Sequence, residues 1–137
     1  MNMNSKPFLS LEDARQVAAA AETEARRHGW AVAIAIVDDG GHLLWLQRLD
    51  GAAPISAQIA PAKARTAAIG RRESRVYEEM INGPRAAFLS APGLEGMLEG
   101  GVPMMVQGHC VGAVGVSGVK SSEDAQIARA GIAALPA

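Results

Sequence analysis

Apolar positions in the first third of the chain repeat with two different periods, and the change of period marks the first two elements. Leu11, Ala14, Ala18, Ala21 and Ala25 recur at spacings of three and four, which predicts a helix with one buried stripe. Ser10, with Asp13 three residues on, supplies its N-cap, and Gly29 supplies its stop. Over Trp30 to Val37 the period falls to two. Trp30, Val32, Ile34 and Ile36 are large, while the interleaved Ala31, Ala33 and Ala35 are small but also apolar. A strand apolar on both faces belongs in the middle of a sheet. Asp38-Asp39-Gly40-Gly41 is turn chemistry, so His42 to Leu49 returns as an antiparallel partner.

Pro54 to Ser74 reads as helical, with Ile55, Ile59, Ala62, Thr66 and Ile69 on one face. Pro61 should kink it, or divide it into a short turn and a main helix. Shorter helical pieces follow from Tyr77 to Leu89, interrupted at Gly83-Pro84 and closed near Pro92-Gly93. Gly96-Met97-Leu98 is a candidate short strand. Val102 to Val106 and Val111 to Ser117 are strands joined by a Gln107-Gly108-His109-Cys110 turn. In the second of them Ala113, Gly115 and Ser117 form an unusually small face, against which either a helix packs closely or a ligand sits. Ser121 or Ser122 caps a last helix with the stripe Ala125, Ala128, Ile132 and Leu135. Strands and helices do not alternate regularly, which argues against a doubly wound parallel sheet. The expectation is an α+β domain: an antiparallel sheet of about five strands with flanking helices. Residues 1–137 form one domain, of which 1–9 read as a flexible N-terminal segment.

Composition narrows the function. Hydrophobic residues at 49% and charged residues at 20% are globular proportions. A net charge of −1, from 13 basic and 14 acidic groups, argues against a nucleic-acid partner, which demands a concentrated basic surface. No apolar run approaches the roughly 20 residues of a membrane span. The single cysteine, Cys110, rules out an internal disulfide, and no secretory signal opens the chain, so the cytoplasm is the expected compartment. Abundant alanine and glycine suggest close packing against neighbouring copies, hence a homo-oligomer.

Several motifs stand in order: Ile36-Val37-Asp38-Asp39-Gly40-Gly41, Arg48-Leu49-Asp50, Lys63-Ala64-Arg65-Thr66-Ala67, Gly100-Gly101-Val102-Pro103, and the run from Val111 to Gly118. Together, from about Ser10 to Ala134, they resemble the GlcG/HbpS family and the C-terminal domain of PduO-type corrinoid adenosyltransferases. The resemblance implies a profilin-like or PAS-like fold with helices on both sides of a five-stranded sheet. It also implies assembly into dimers or larger rings, and haem as a cofactor.

Lys63 is a candidate anion anchor or base, because an amine beside alanine and glycine surfaces is desolvated. The plainer alternative lays its stem along the surface with the ammonium in water. Thr66 would be its hydrogen-bonding neighbour. The amides of Gly100 and Gly101 could cradle a carboxylate or propionate, or merely admit a tight turn. Asp38 could hold a pocket arginine such as Arg48, though aspartate before glycine is ordinary in turns. Ser117 lines the small face but lacks the spacing of a nucleophile elbow. Arg65, Arg71, Arg72 and Arg75 could meet propionates or form a solvated face. His42 and His109 are the candidate haem-iron ligands, with Cys110, Tyr77 and the methionines also chemically eligible. His28, at the end of a helix, suits a structural role. No C-x-x-C-H sequence is present, which excludes covalent haem attachment. Three functions therefore compete: binding or handling of haem, an enzyme or accessory factor for a small carbonyl or carboxylate compound, and a non-catalytic assembly module.

Overall fold

A capping box starts the first helix. Ser10 Oγ accepts the Asp13 N–H at 3.0 Å, and Asp13 accepts the Ser10 N–H at 3.1 Å. The computed structural model describes residues 2–136 and places α1 at Leu11–Arg27, β1 at Ala33–Asp38, β2 at Leu43–Arg48 and α2 at Ser56–Gly70. Next come α3 at Ser74–Asn82, a 3-10 turn at Ala86–Ser90, β3 at Gly101–Val106, β4 at His109–Ser117 and α4 at Ser121–Ile132. All strand pairs are antiparallel, in the order β2-β1-β4-β3, so β1 is central as its two apolar faces require. Leu9, the last residue before the cap, is buried in the core.

The sheet has four strands rather than five. Gly96-Met97-Leu98 is irregular because side chains from distant helices satisfy its backbone. Thr66 Oγ1 donates to the Glu95 carbonyl at 2.5 Å, Ser74 Oγ to the Leu98 carbonyl at 2.5 Å, and the Glu99 N–H reaches Glu78 at 3.0 Å. A segment anchored this way gains nothing from a ladder. The last hairpin is also tighter than expected. His109 and Cys110 already belong to β4, and the turn is Gln107-Gly108, both at positive φ as a type I′ turn demands.

Helices cover both faces. On one, α1 and α4 bury Val17, Ala21 and Ile127 against Ile34, Ile36, Val114 and Val116. On the other, α2 lays Ala60, Ala64 and Ala67 on Ala33, Ala35 and Ala113. The small face of β4 is therefore filled by a helix. A Cβ on Gly115 would stand well inside contact distance of the Ala60 carbonyl oxygen and 2.5 Å from the Ala64 nitrogen. This closeness explains why the stripe expected on α2 is displaced. The isoleucines are too large for the contact, so Ile55 and Ile69 face outward while Ser56, Ala60, Lys63, Ala64 and Ala67 face the sheet. Pro61 lies inside a helix that runs on to Gly70, where Arg71 takes the left-handed conformation and separates α2 from α3. At α4 the first helical turn begins at Ser121, and Glu123 accepts the Lys120 N–H at 3.3 Å. No described helix is long and apolar enough to cross a membrane.

Candidate functional site

The predicted site residues separate toward the two ends of the sheet. Lys63, Gly100, Gly101 and Ser117 gather where β3 begins and β4 ends, whereas Asp38, His42 and His109 lie at the hairpin end.

At the first end the lysine is consumed by the fold. Lys63 is 3% exposed, and its Nζ donates to the Val116 carbonyl at 3.0 Å and to Asp124 Oδ2 at 3.0 Å. Asp124, also buried, accepts the Val119 N–H through its other oxygen at 3.2 Å. Burial pushes the Asp124 carboxyl above its ordinary range, and the Lys63 ammonium opposes that shift in part. The expected carboxylate cradle is closed. Gly101 donates its N–H to Ser74 Oγ at 2.8 Å, and a Cβ on Gly100 would stand 2.7 Å from Lys63 Nζ. The glycines thus let the strand press on the lysine. Ser117, the residue after the Val116 carbonyl that Lys63 holds, is buried, and Thr66 is committed to the Glu95 carbonyl. Asp124 is the member of this constellation that sequence reasoning missed. Its only signal was an acidic residue adjoining the apolar stripe of the last helix.

The hairpin end is open. Leu43, Leu46 and Arg48 pair with Val37, Ala35 and Ala33, so they share the sheet face that α2 covers. The helix lies over the inner strands, and this flank of the edge strand stays exposed. His42 sits at its head with 81% of its side chain exposed. Asp38 Oδ1 accepts the N–H groups of Gly40 and His42, each at 2.9 Å, and lies 3.2 Å from His42 Nδ1. The end of α2 backs the turn. A Cβ on Gly41 would meet Arg65 Cγ at 2.9 Å and Ile69 Cδ1 at 3.1 Å, and Arg71 Nη1 donates to the Asp39 carbonyl at 2.6 Å. Lys6 forms an ion pair with Asp39, which holds that carboxyl below its usual range. Leu43, Leu46 and Ile69 are thus exposed on the α2 side of the sheet, whereas His42, next to Leu43 and against Asp38, projects from the other side, and the Arg65 guanidinium is turned to the Gly93 carbonyl at 2.7 Å.

Other candidate donors are engaged or enclosed. His28 stacks on Trp30 at 4.3 Å and approaches Glu24 at 3.3 Å. Tyr77 is buried with its hydroxyl against Gly70, and it stacks on Phe88. Cys110 is buried with Sγ turned toward the carbonyls of Ala68 and Gly112. His109 is exposed and lines a cleft of about 310 Å³ with Lys6, Arg71 and Met105. Arg48 stands at the opposite end of β2 from His42, about 20 Å along the strand. One planar ligand centred on His42 would not reach it. Among the described residues, no group of three or more His, Cys, Asp and Glu side chains could hold a metal ion.

Comparison with known proteins adds independent findings. Residues 9–133 match the family described as "Haem degrading protein HbpS-like". Protein GlcG of Escherichia coli strain K12 is 55% identical over 115 residues, 84% of this chain and 85% of that protein. Among solved structures, a double mutant of HbpS from Streptomyces reticuli is 34% identical with a TM-score of 0.87, covering 98% of this chain and 92% of that one. A PduOC:haem complex is 27% identical with a TM-score of 0.85, covering 94% and 96%.

Proposed function

The chain belongs to the GlcG/HbpS family, and from that premise we propose that it binds haem, with His42, in the exposed turn before β2, as the iron ligand. The observation that carries the reading is His42 itself: a solvent-facing imidazole on a rigid turn, with a carboxylate behind it. The similarity to the domain in the PduOC:haem complex supports haem as the ligand class. Bound haem would supply the iron chemistry, while this chain's own part is to ligate, orient and partly shield.

The enzyme reading built on Lys63 is less well supported. Its ammonium already has a buried carboxylate and a carbonyl, so an incoming substrate anion would have to displace Asp124. Titration of the protein with haemin tests the proposal. Wild type and the double variant Lys63→Met with Asp124→Leu should give a sharp, saturable Soret band, and His42→Ala should not. A band that saturates equally in His42→Ala but disappears in His109→Ala would move the ligand to the β3–β4 turn. Failure of wild type to saturate would remove haem binding altogether.

A further inference from the structure

We propose that the cleft between the α2–α3 junction and the β3–β4 turn binds a small organic anion, a carboxylate on a compact apolar body. His42 takes no part in it, and its test involves no haem.

Strand register decides which side chains share this cleft. Met105 and Cys110 are partners across β3 and β4, so they lie on one face of the sheet, and Cys110 Sγ faces the Ala68 carbonyl at 3.9 Å. That is the face α2 covers, and the helix ends at Gly70. Arg71 follows at once. Its Nη1 donates to the same Ala68 carbonyl at 2.9 Å and to the Asp39 carbonyl at 2.6 Å. The guanidinium is thereby held in place, and among the described residues Nη2 and Nε meet no acceptor. Those two nitrogens are the pair of donors that a carboxylate takes side-on. Lys6 brings an ammonium from the N-terminal segment, and Gly108 and His109 complete the rim of a space of about 310 Å³. Such a volume suits an acid of a few carbons, whose body would rest on Met105 and Cys110.

Charge selects the ligand class. Lys6 and Arg71 line this cleft and no carboxylate does. The clefts elsewhere have Glu95, Asp50, Glu78 or Asp13 in their walls. The competing anion is Asp39, which is paired with Lys6 but leaves the open edge of Arg71 untouched. The backbone adds a separate observation. Arg71 has a φ of 58° at a helix end that glycine would fill without steric cost. An arginine in that strained conformation delivers its guanidinium to the cleft.

Isotope-labelled protein is titrated with isobutyrate and, separately, with inorganic phosphate, and amide NMR shifts are followed. Isobutyrate should move the Arg71, Gly108, His109 and Cys110 amides saturably, and phosphate, which has no apolar body, should bind more weakly. Arg71→Gly relieves the left-handed strain while removing the guanidinium. With its fold verified by the dispersion of the amide spectrum, it should bind isobutyrate about 10–100-fold more weakly, the loss of a charge-assisted hydrogen bond. Asp39→Asn frees Lys6 and should tighten binding. Absence of saturation in wild type, or saturating shifts confined to other amides, would overturn the proposal without any variant. Unchanged affinity in a folded Arg71→Gly would also overturn it. Phosphate binding as tightly as isobutyrate would overturn the assignment of an organic ligand.

Discussion

Replacing Asp124 by alanine strands a buried cation. Lys63 and Asp124 are 61 positions apart in sequence and join α2 to α4 beneath the β3–β4 edge, with side-chain exposures of 4% and 3%. After Asp124→Ala the ammonium would retain only the Val116 carbonyl as partner, and the Val119 N–H would lose its acceptor. Breaking one side of a buried pair costs about 3–5 kcal/mol, since the remaining charge stays desolvated. Against a typical total of about 5–15 kcal/mol, that is a large share. Urea denaturation followed by circular dichroism at pH 7 would measure it as a drop in midpoint with unchanged slope. Replacing both partners with apolar groups, Lys63→Met with Asp124→Leu, should restore most of the loss, because no charge is then left buried. A loss below about 1 kcal/mol in Asp124→Ala, the size of an exposed pair, would refute the reasoning. It would mean that water reaches the ammonium and that Lys63 is available to a ligand after all.

Other outcomes follow from the same contacts. Asp124 has its carboxyl raised above the ordinary 3.8, so its contribution is fully present below that value and is lost as pH rises through the raised one. The stability difference between wild type and Asp124→Asn should therefore shrink with rising pH across that acid window, and a growing difference would contradict the direction. Gly115→Ala should destabilise by about 1–3 kcal/mol through overpacking against α2, read as a lower thermal midpoint. Ser10→Ala should cost about 0.5–2 kcal/mol by removing the cap of α1, measured by urea denaturation.

Local rules were legible in the sequence wherever the structure is local. The Ser10–Asp13 box, the centrality of β1 and the existence of both hairpins follow from residues that touch their near neighbours, although the second turn is two residues shorter than expected. The fifth strand fails because Thr66 and Ser74 capture the carbonyls of Glu95 and Leu98 from 29 and 24 positions away. No window of sequence contains that competition. The α2 stripe fails for a different reason. Hydrophobicity selects the isoleucines, but the gap between helix and sheet admits only Ala60, Ala64 and Ala67. At the candidate sites, the sequence marks Lys63, Asp38 and His42 as chemically able without ranking them. Ranking needs the partner of each. Lys63 meets Asp124, which closes its site, while His42 meets Asp38 and leaves Nε2 open.

The most direct measurement is a crystal structure of the protein grown with haemin. The account predicts iron within bonding distance of a His42 ring nitrogen and the Lys63–Asp124 pair undisturbed. Iron bound through any other side chain, with the His42 ring free in solvent, would contradict it.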